Sequence, residues 1–112
     1  MGERADPFGF PDEFDRAMDV LNTKVRVAIL LELRKHGPST PVRLAEQLRV
    51  TRALVRRNLL ALEQLGIIDI DPPRSETDVR KRYFSINDAA LAAVLDTVQT
   101  LAADPGDREP WR

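Results

Sequence analysis

Three arginines, Arg52, Arg56 and Arg57, stand close together behind a threonine, Thr51, in the stretch LAEQLRVTRALVRRNLLALEQLGII at 44–68. Arg43 and Arg49 lie just upstream, and Arg74, Arg80, Lys81 and Arg82 follow downstream. A guanidinium is permanently charged and presents its donors in a planar fork. It matches two partners well, the O6 and N7 edge of guanine and the oxygens of a phosphate. The chemistry open to this cluster is recognition of a polyanion. Nothing beside it breaks bonds. Ser39, Ser75 and Ser85 have no local base, and the glycine-rich loops that cradle nucleotides are absent. His36 is the single histidine and there is no cysteine, so thiolate metal sites and disulfides are excluded. No enzyme activity and no cofactor are expected.

The net charge of the 112 residues is −1, a sum that argues against a nucleic-acid partner. Its distribution argues the other way. Between Arg43 and Leu60 five arginines face one carboxylate, Glu46. From Met1 to Leu21 six acids face two arginines, and from Asn87 to the end five acids face two. A domain that turns one positive face to DNA and keeps the others negative has this pattern. No apolar run approaches the roughly 20 residues of a membrane span. The N-terminus lacks the basic-then-apolar order of a secretion signal. A cytoplasmic protein is expected, without membrane contact.

The elements that must position these arginines can be read from periodicity. The hydrophobic share of 43% suffices for one modest core, in a domain expected over 11–103, with a loose arm at 1–10 and a disordered tail at 104–112. A first helix is expected from Pro11 to about Val20, with Phe14, Met18 and Leu21 on its inner stripe. Asn22 or Thr23 caps a second, which ends at Gly37-Pro38 and is apolar nearly all round, the signature of a buried central strut. His36 at its end suits the helix dipole. Thr40-Pro41 starts a short third helix with Val42, Leu44, Ala45 and Leu48 inward. Arg49-Val50 form a turn, and Thr51 caps a fourth helix over 51–65. There Val55, Leu59, Leu62 and Leu65 form one stripe and the three arginines project from the other side. Gly66 closes it.

Ile67 to Ile70 reads as a strand ended by Pro72-Pro73. A polar loop at 71–80 and a return strand, Lys81 to Ile86, complete a hairpin with Phe84 and Ile86 inward. Arg82 is expected to pair with Asp69 or Asp71 across it, unless it joins Arg74, Arg80 and Lys81 on a ligand. Tyr83 is expected at its base. A last helix follows Asn87-Asp88 with Leu91, Val94, Leu95, Val98 and Leu101 on one face. The fold class is mainly α with a small β-hairpin, a helix-turn-helix with a wing and with flanking terminal helices.

The segment from about Asn22 to Leu101 resembles winged-helix transcription regulators of the arsenical-repressor (ArsR-like) class. LAEQL, VTRALVRRNLLALEQLGII and KRYFSIN carry the resemblance. It implies a double-stranded DNA partner, with helix 51–65 in the major groove and the wing at 71–80 on adjacent backbone or minor groove. Thr51, Arg52 and Arg56 then meet bases and phosphates, Arg43 and Arg57 lie nearer the backbone, Arg49 is either a phosphate contact or an exposed turn residue, and Arg74 and Arg80 meet the minor groove or its phosphates. It also implies a homodimer through the terminal helices, using Phe10, Phe14, Met18, Leu91, Val94, Leu95, Val98 and Leu101. The two reading helices would then lie roughly 34 Å apart on a palindromic site, where binding represses transcription. Two departures matter. Arg49 stands where such turns often carry glycine, a cost on the order of 1 kcal/mol. Metal sensing is not implied, because there are no cysteines and Asp96-Thr97-Val98-Gln99 lacks a histidine. A winged helix can also dock onto an acidic protein or shape DNA architecturally, and the residues leave both readings open.

Overall fold

The computed structural model describes residues 12–77 and 80–100. The expected arm at 1–10 and tail at 104–112 lie outside them, as do Phe10 and Leu101. Five helices and two strands follow in the order α1 (Asp12–Val20), α2 (Lys24–His36), α3 (Pro41–Leu48), α4 (Arg52–Gln64), β1 (Ile68–Asp71), β2 (Tyr83–Ile86) and α5 (Asp88–Gln99). This is a winged helix-turn-helix with flanking helices.

Each helix start is fixed by a local side chain. The hydroxyls of Thr23, Thr40 and Thr51 accept from the backbone N–H of Arg26, Arg43 and Leu54, and the amide of Asn87 accepts from that of Ala90. Each such cap stabilises by about 1 kcal/mol. The end of α4 is a Schellman turn. Ile67 N–H donates to the Leu62 carbonyl at 3.0 Å and Gly66 N–H to that of Glu63 at 2.9 Å, with Gly66 at φ +78°. α3 ends in the same manner, with Val50 N–H on the Ala45 carbonyl, but there an arginine occupies the left-handed position: Arg49 has φ 59° and ψ 46°.

The hairpin pairs Ile68 with Ile86 and Ile70 with Phe84. A contact not foreseen from sequence extends it. The backbone N–H of Ser39, in the α2–α3 loop, donates to the Phe84 carbonyl at 3.0 Å, and the Ser39 carbonyl accepts from the Phe84 N–H at 2.8 Å. That bridge ties the wing to the start of α3. Around it the core gathers Ile29 and Leu33 of α2, Leu44 of α3, Val55, Leu59 and Leu62 of α4, then Ile67, Ile68 and Phe84.

Several expectations need correction. The inner stripe of α1 is Phe14, Ala17 and Val20, whereas Met18 is 53% exposed and Leu21 also faces out. The small Ala17 lets α1 lie close on α5, which buries Leu91 and Val94. α2 is not buried all round: Ile29, Leu30 and Leu33 face α3, α4 and β2, but Val27 and Leu31 point away from them and are exposed. β1 begins one residue later than expected because Ile67 is held in the Schellman turn. Tyr83 is exposed rather than packed at the hairpin base.

The left-handed Arg49 gives a test. Arg49→Gly is expected to leave stability within about 1 kcal/mol of wild type, since relief of strain offsets the added chain entropy. Arg49→Val is expected to lose more, because a β-branched residue tolerates positive φ poorly. Urea midpoints of the two variants in the opposite order would show that the turn is not held left-handed.

Candidate nucleic-acid interface

The arginines of the described residues fall into two groups. Five are engaged within the chain. Arg16 donates to the Leu65 carbonyl at 2.6 Å, Arg26 to Asn58 Oδ1 at 3.2 Å and to the Asp19 carbonyl, and Arg34 to Asp88 at 2.7 Å. Arg74 forks onto Glu63, and Arg82 caps carbonyls of the loop before it. The other six are Arg43, Arg49, Arg52, Arg56, Arg57 and Arg80. They are all exposed, and their side chains have no hydrogen bond or ion pair among the described residues. Those six, with Thr51, were singled out from sequence. Arg74 was singled out with them, but it is not free.

The helix periodicity arranges the free group. On α4 Arg52 and Arg56 lie about 40° apart around the axis, and Arg57 stands a further 100° or so away. Val55, Leu59 and Leu62 occupy the buried side. Arg56 also lines a groove of about 800 Å³ between the start of α3, α4 and the wing, where it is joined by Arg43, Arg80 and Lys81. Arg74 and Arg82 line it as well, and Glu46 is the carboxylate within it. Leu60 of α4 and Tyr83 of β2 put exposed apolar surface beside these cations, which sequence did not single out. The N-terminus of α3, capped by Thr40, adds partial positive charge at the groove, and that of α4, capped by Thr51, adds it beside Arg52. No first-turn acid of α4 opposes it. Glu46 apart, the charged side chains that line the groove are cationic.

One expectation about partners changes. Arg82 does not pair with Asp69 or Asp71. Its guanidinium reaches the carbonyls of Pro72 at 2.9 Å, Pro73 at 2.6 Å and Glu76 at 2.5 Å, because the loop folds back over it. Arg74, expected at the minor groove or phosphates beside the wing, is engaged within the chain. Its Nε lies 3.0 Å from Glu63 Oε2 and its Nη2 lies 2.9 Å from Oε1, and the hydrogen bonds to Glu63 raise its pKa further above the ordinary value. His36 lies 3.5 Å from Glu32 one turn back on α2. Of the side chains expected between subunits, Phe14, Leu91 and Val94 are buried within the chain, and Val98 is half-buried. Met18 and Leu95, the latter 48% exposed, remain open.

A buried amide holds this face in place. Asn58, on the apolar side of α4, donates to the Leu54 carbonyl at 2.9 Å and accepts from Arg26. Arg26 in turn holds the Asp19 carbonyl at the end of α1. The pair therefore links the N-terminal elements to the helix that carries the free arginines. An amide placed between Val55 and Leu59 was the sequence signal for it. Among the described residues no group of three or more histidines, aspartates or glutamates could hold a metal ion, and no helix is long and apolar enough to cross a membrane.

Comparison with known proteins agrees with this geometry. Residues 23–69 match a family model described as winged helix-turn-helix DNA-binding. The span takes in α2, α3, α4 and the start of β1. No curated protein matches the chain by sequence. Among solved structures it is similar to an ArsR family transcriptional regulator, with TM-score 0.63 and 23% identity over 89% of this chain and 97% of that one. It is similar to a homodimeric winged helix-turn-helix DNA-binding domain from Mycobacterium bovis, with TM-score 0.59 and 20% identity over 97% and 98%. It is also similar to Lactococcus lactis ZitR in complex with DNA, with TM-score 0.53 and 24% identity over 71% of this chain. The chain spans about half the length of ZitR, 53%.

The buried amide yields a stability test. Asn58→Leu removes the acceptor of Arg26 and is expected to cost about 1–3 kcal/mol in urea denaturation. Replacing Arg26 by leucine as well is expected to recover part of that loss, as the partner of a stranded donor is removed with it. Strictly additive losses would show that the two side chains do not interact.

Proposed function

We propose that this winged helix-turn-helix chain is a transcription regulator that binds duplex DNA in a sequence-specific way as a homodimer, and that its bound state represses. The observation that carries the reading is the division of the arginines. Those that brace the fold are paired, and those on and around α4 are exposed without partners among the described residues. A fold that finds partners for Arg16, Arg26 and Arg34 has no structural need for six guanidinium groups left exposed without them.

In this reading α4 enters the major groove with its N-terminus leading, Thr51 and the backbone beside it meet a phosphate, and Arg52 and Arg56 reach base edges. Arg43, Arg49 and Arg57 meet flanking phosphates, and Arg80 with Lys81 meets backbone or minor groove beyond the wing. The likeness to ZitR in complex with DNA supports the docking mode. The likeness to a homodimeric domain supports the dimer. Because Phe14, Leu91 and Val94 are used up inside the chain, the subunit contact draws on Met18 and Leu95 beside them.

Binding to a duplex selected from a random library should weaken steeply with salt as counterions are released. Arg56→Ala should lower affinity for that duplex by about 5- to 150-fold, the loss of one forked base contact, and reduce its preference over scrambled DNA. Arg57→Ala should weaken both duplexes alike and lower the salt slope by about one unit. Arg34→Gln, outside the groove and paired to Asp88, should change neither. Fluorescence anisotropy reads all three. Salt-insensitive binding with no preference between selected and scrambled duplexes overturns the reading and leaves an acidic protein as the better partner.

For the dimer, Leu95→Glu should convert dimer to monomer in sedimentation equilibrium with the far-UV spectrum unchanged. A wild-type chain that sediments as a monomer at all concentrations tested removes that part of the proposal.

A further inference from the structure

We infer that Glu63, Arg74 and Arg82 are positioning residues that hold the wing at a fixed distance from α4, and that Glu63, though acidic, favours DNA recognition through that clamp. The inference rests on the DNA-binding reading above and deepens it.

Among the described residues, the wing beyond the four paired residues of each strand has one backbone hydrogen bond within the loop, Glu76 N–H on the Pro73 carbonyl at 3.0 Å. Pro72 and Pro73 have no N–H to offer a ladder. The loop is fastened by two guanidinium groups instead. Arg82, at the entry to β2, donates to the Pro72, Pro73 and Glu76 carbonyls and so ties the two arms of the loop together. Arg74, in the outgoing arm, donates to both carboxylate oxygens of Glu63 at 3.0 and 2.9 Å. Glu63 belongs to the last turn of α4, the helix that carries Arg52 and Arg56. The loop is therefore fastened to itself by one arginine and to that helix by the other. Arg80 and Lys81 share the groove with Arg56 and follow from where the loop is held.

Both fastenings need the geometry of a fork and not charge alone. Lysine has the charge without two coplanar donors, so it cannot span two carboxylate oxygens or three carbonyls in fixed directions. A clamp of this kind orders the wing before DNA arrives. The cost of ordering its long side chains does not then have to come from the binding energy.

The sign of one substitution separates this from the ordinary expectation. A carboxylate near a polyanion repels it, so Glu63→Gln acting through charge alone would raise affinity for every duplex. If Glu63 acts through Arg74, Glu63→Gln lowers affinity for the selected duplex by about 2- to 10-fold, the cost of ordering one or so long side chains, despite the gain of a positive unit. Affinity for scrambled DNA is unchanged or rises. Arg74→Lys and Arg82→Lys keep the charge and should show the same loss on the selected duplex, with urea midpoints close to wild type. They also keep the test open should Glu63→Gln fold poorly.

Amide exchange in the free protein supplies an independent reading. Exchange across 74–77 and 80–83 should quicken in all three variants while that of α4 does not. Tighter binding of the selected duplex by Glu63→Gln, or unaltered wing exchange in the lysine variants, overturns the clamp. Failure of the wild-type chain to prefer the selected duplex sinks the DNA reading instead, and the exchange measurement still decides whether the clamp exists.

Discussion

The arrangement depends on the burial of one side of α4. Val55, Leu59 and Leu62 are almost wholly removed from solvent there. Each buried side chain of this kind contributes roughly 1.5–3 kcal/mol. A thirteen-residue helix is marginal by itself, so its packing and not its propensity holds it in place. Rotating it would expose that stripe and press Arg52 and Arg56 into the core, where an unpaired charge costs several kcal/mol. Both terms act in the same direction. Hydrophobic contact is not directional, and the Asn58–Arg26 hydrogen bond adds the angular restraint that packing lacks.

With its rotation fixed, α4 carries a local conflict on its outer side. Arg52 stands at the positive end of the helix dipole, where an acid would be favoured, and no acid occupies the first turn. Arg56 and Arg57 follow close by with no carboxylate partner. α1 shows the opposite choice, with Asp12, Glu13 and Asp15 in its first turn as the dipole prefers. α2 and α3 also start without a first-turn acid; α4 adds an arginine at its first residue, and an anion at that end would remove the conflict. The near-zero net charge hides this, because carboxylates elsewhere in the chain, those of α1 among them, offset the arginines.

The wing and the helix are also one mechanical unit. The Ser39–Phe84 bridge fastens the hairpin to the start of α3, and the Schellman turn at Gly66 sets the angle at which β1 leaves α4. Gly66 fits closely there: a β-carbon on it would come within 3.2 Å of Arg16 Nη2. Arg16 itself ties α1 to the end of α4 through the Leu65 carbonyl. α3, α4 and the hairpin thus enclose a groove whose shape depends on contacts made at its edges, away from the arginines that line it.

The sequence by itself determined whatever is decided within a few residues. Thr23, Thr40, Thr51 and Asn87 announce helix starts because a short polar side chain reaches only its own next turn. Gly66 announces a stop because it alone adopts positive φ without strain. The stripe of α4, and with it the outward side of Arg52, Arg56 and Arg57, followed from the helical repeat. Only the tertiary structure decided which cations are free. Arg43, Arg56 and Arg80 are unpaired while Arg26, Arg74 and Arg82 are bound, and all are the same residue in similar polar surroundings along the chain. What separates them is whether an acceptor from another element arrives within about 3 Å. The exposed side of α2 was hidden for the same reason: Val27 and Leu31 read as core until the packing shows that none of α3, α4 and β2 lies over them. Periodicity reports which side of an element is apolar, and only three-dimensional packing settles what covers it.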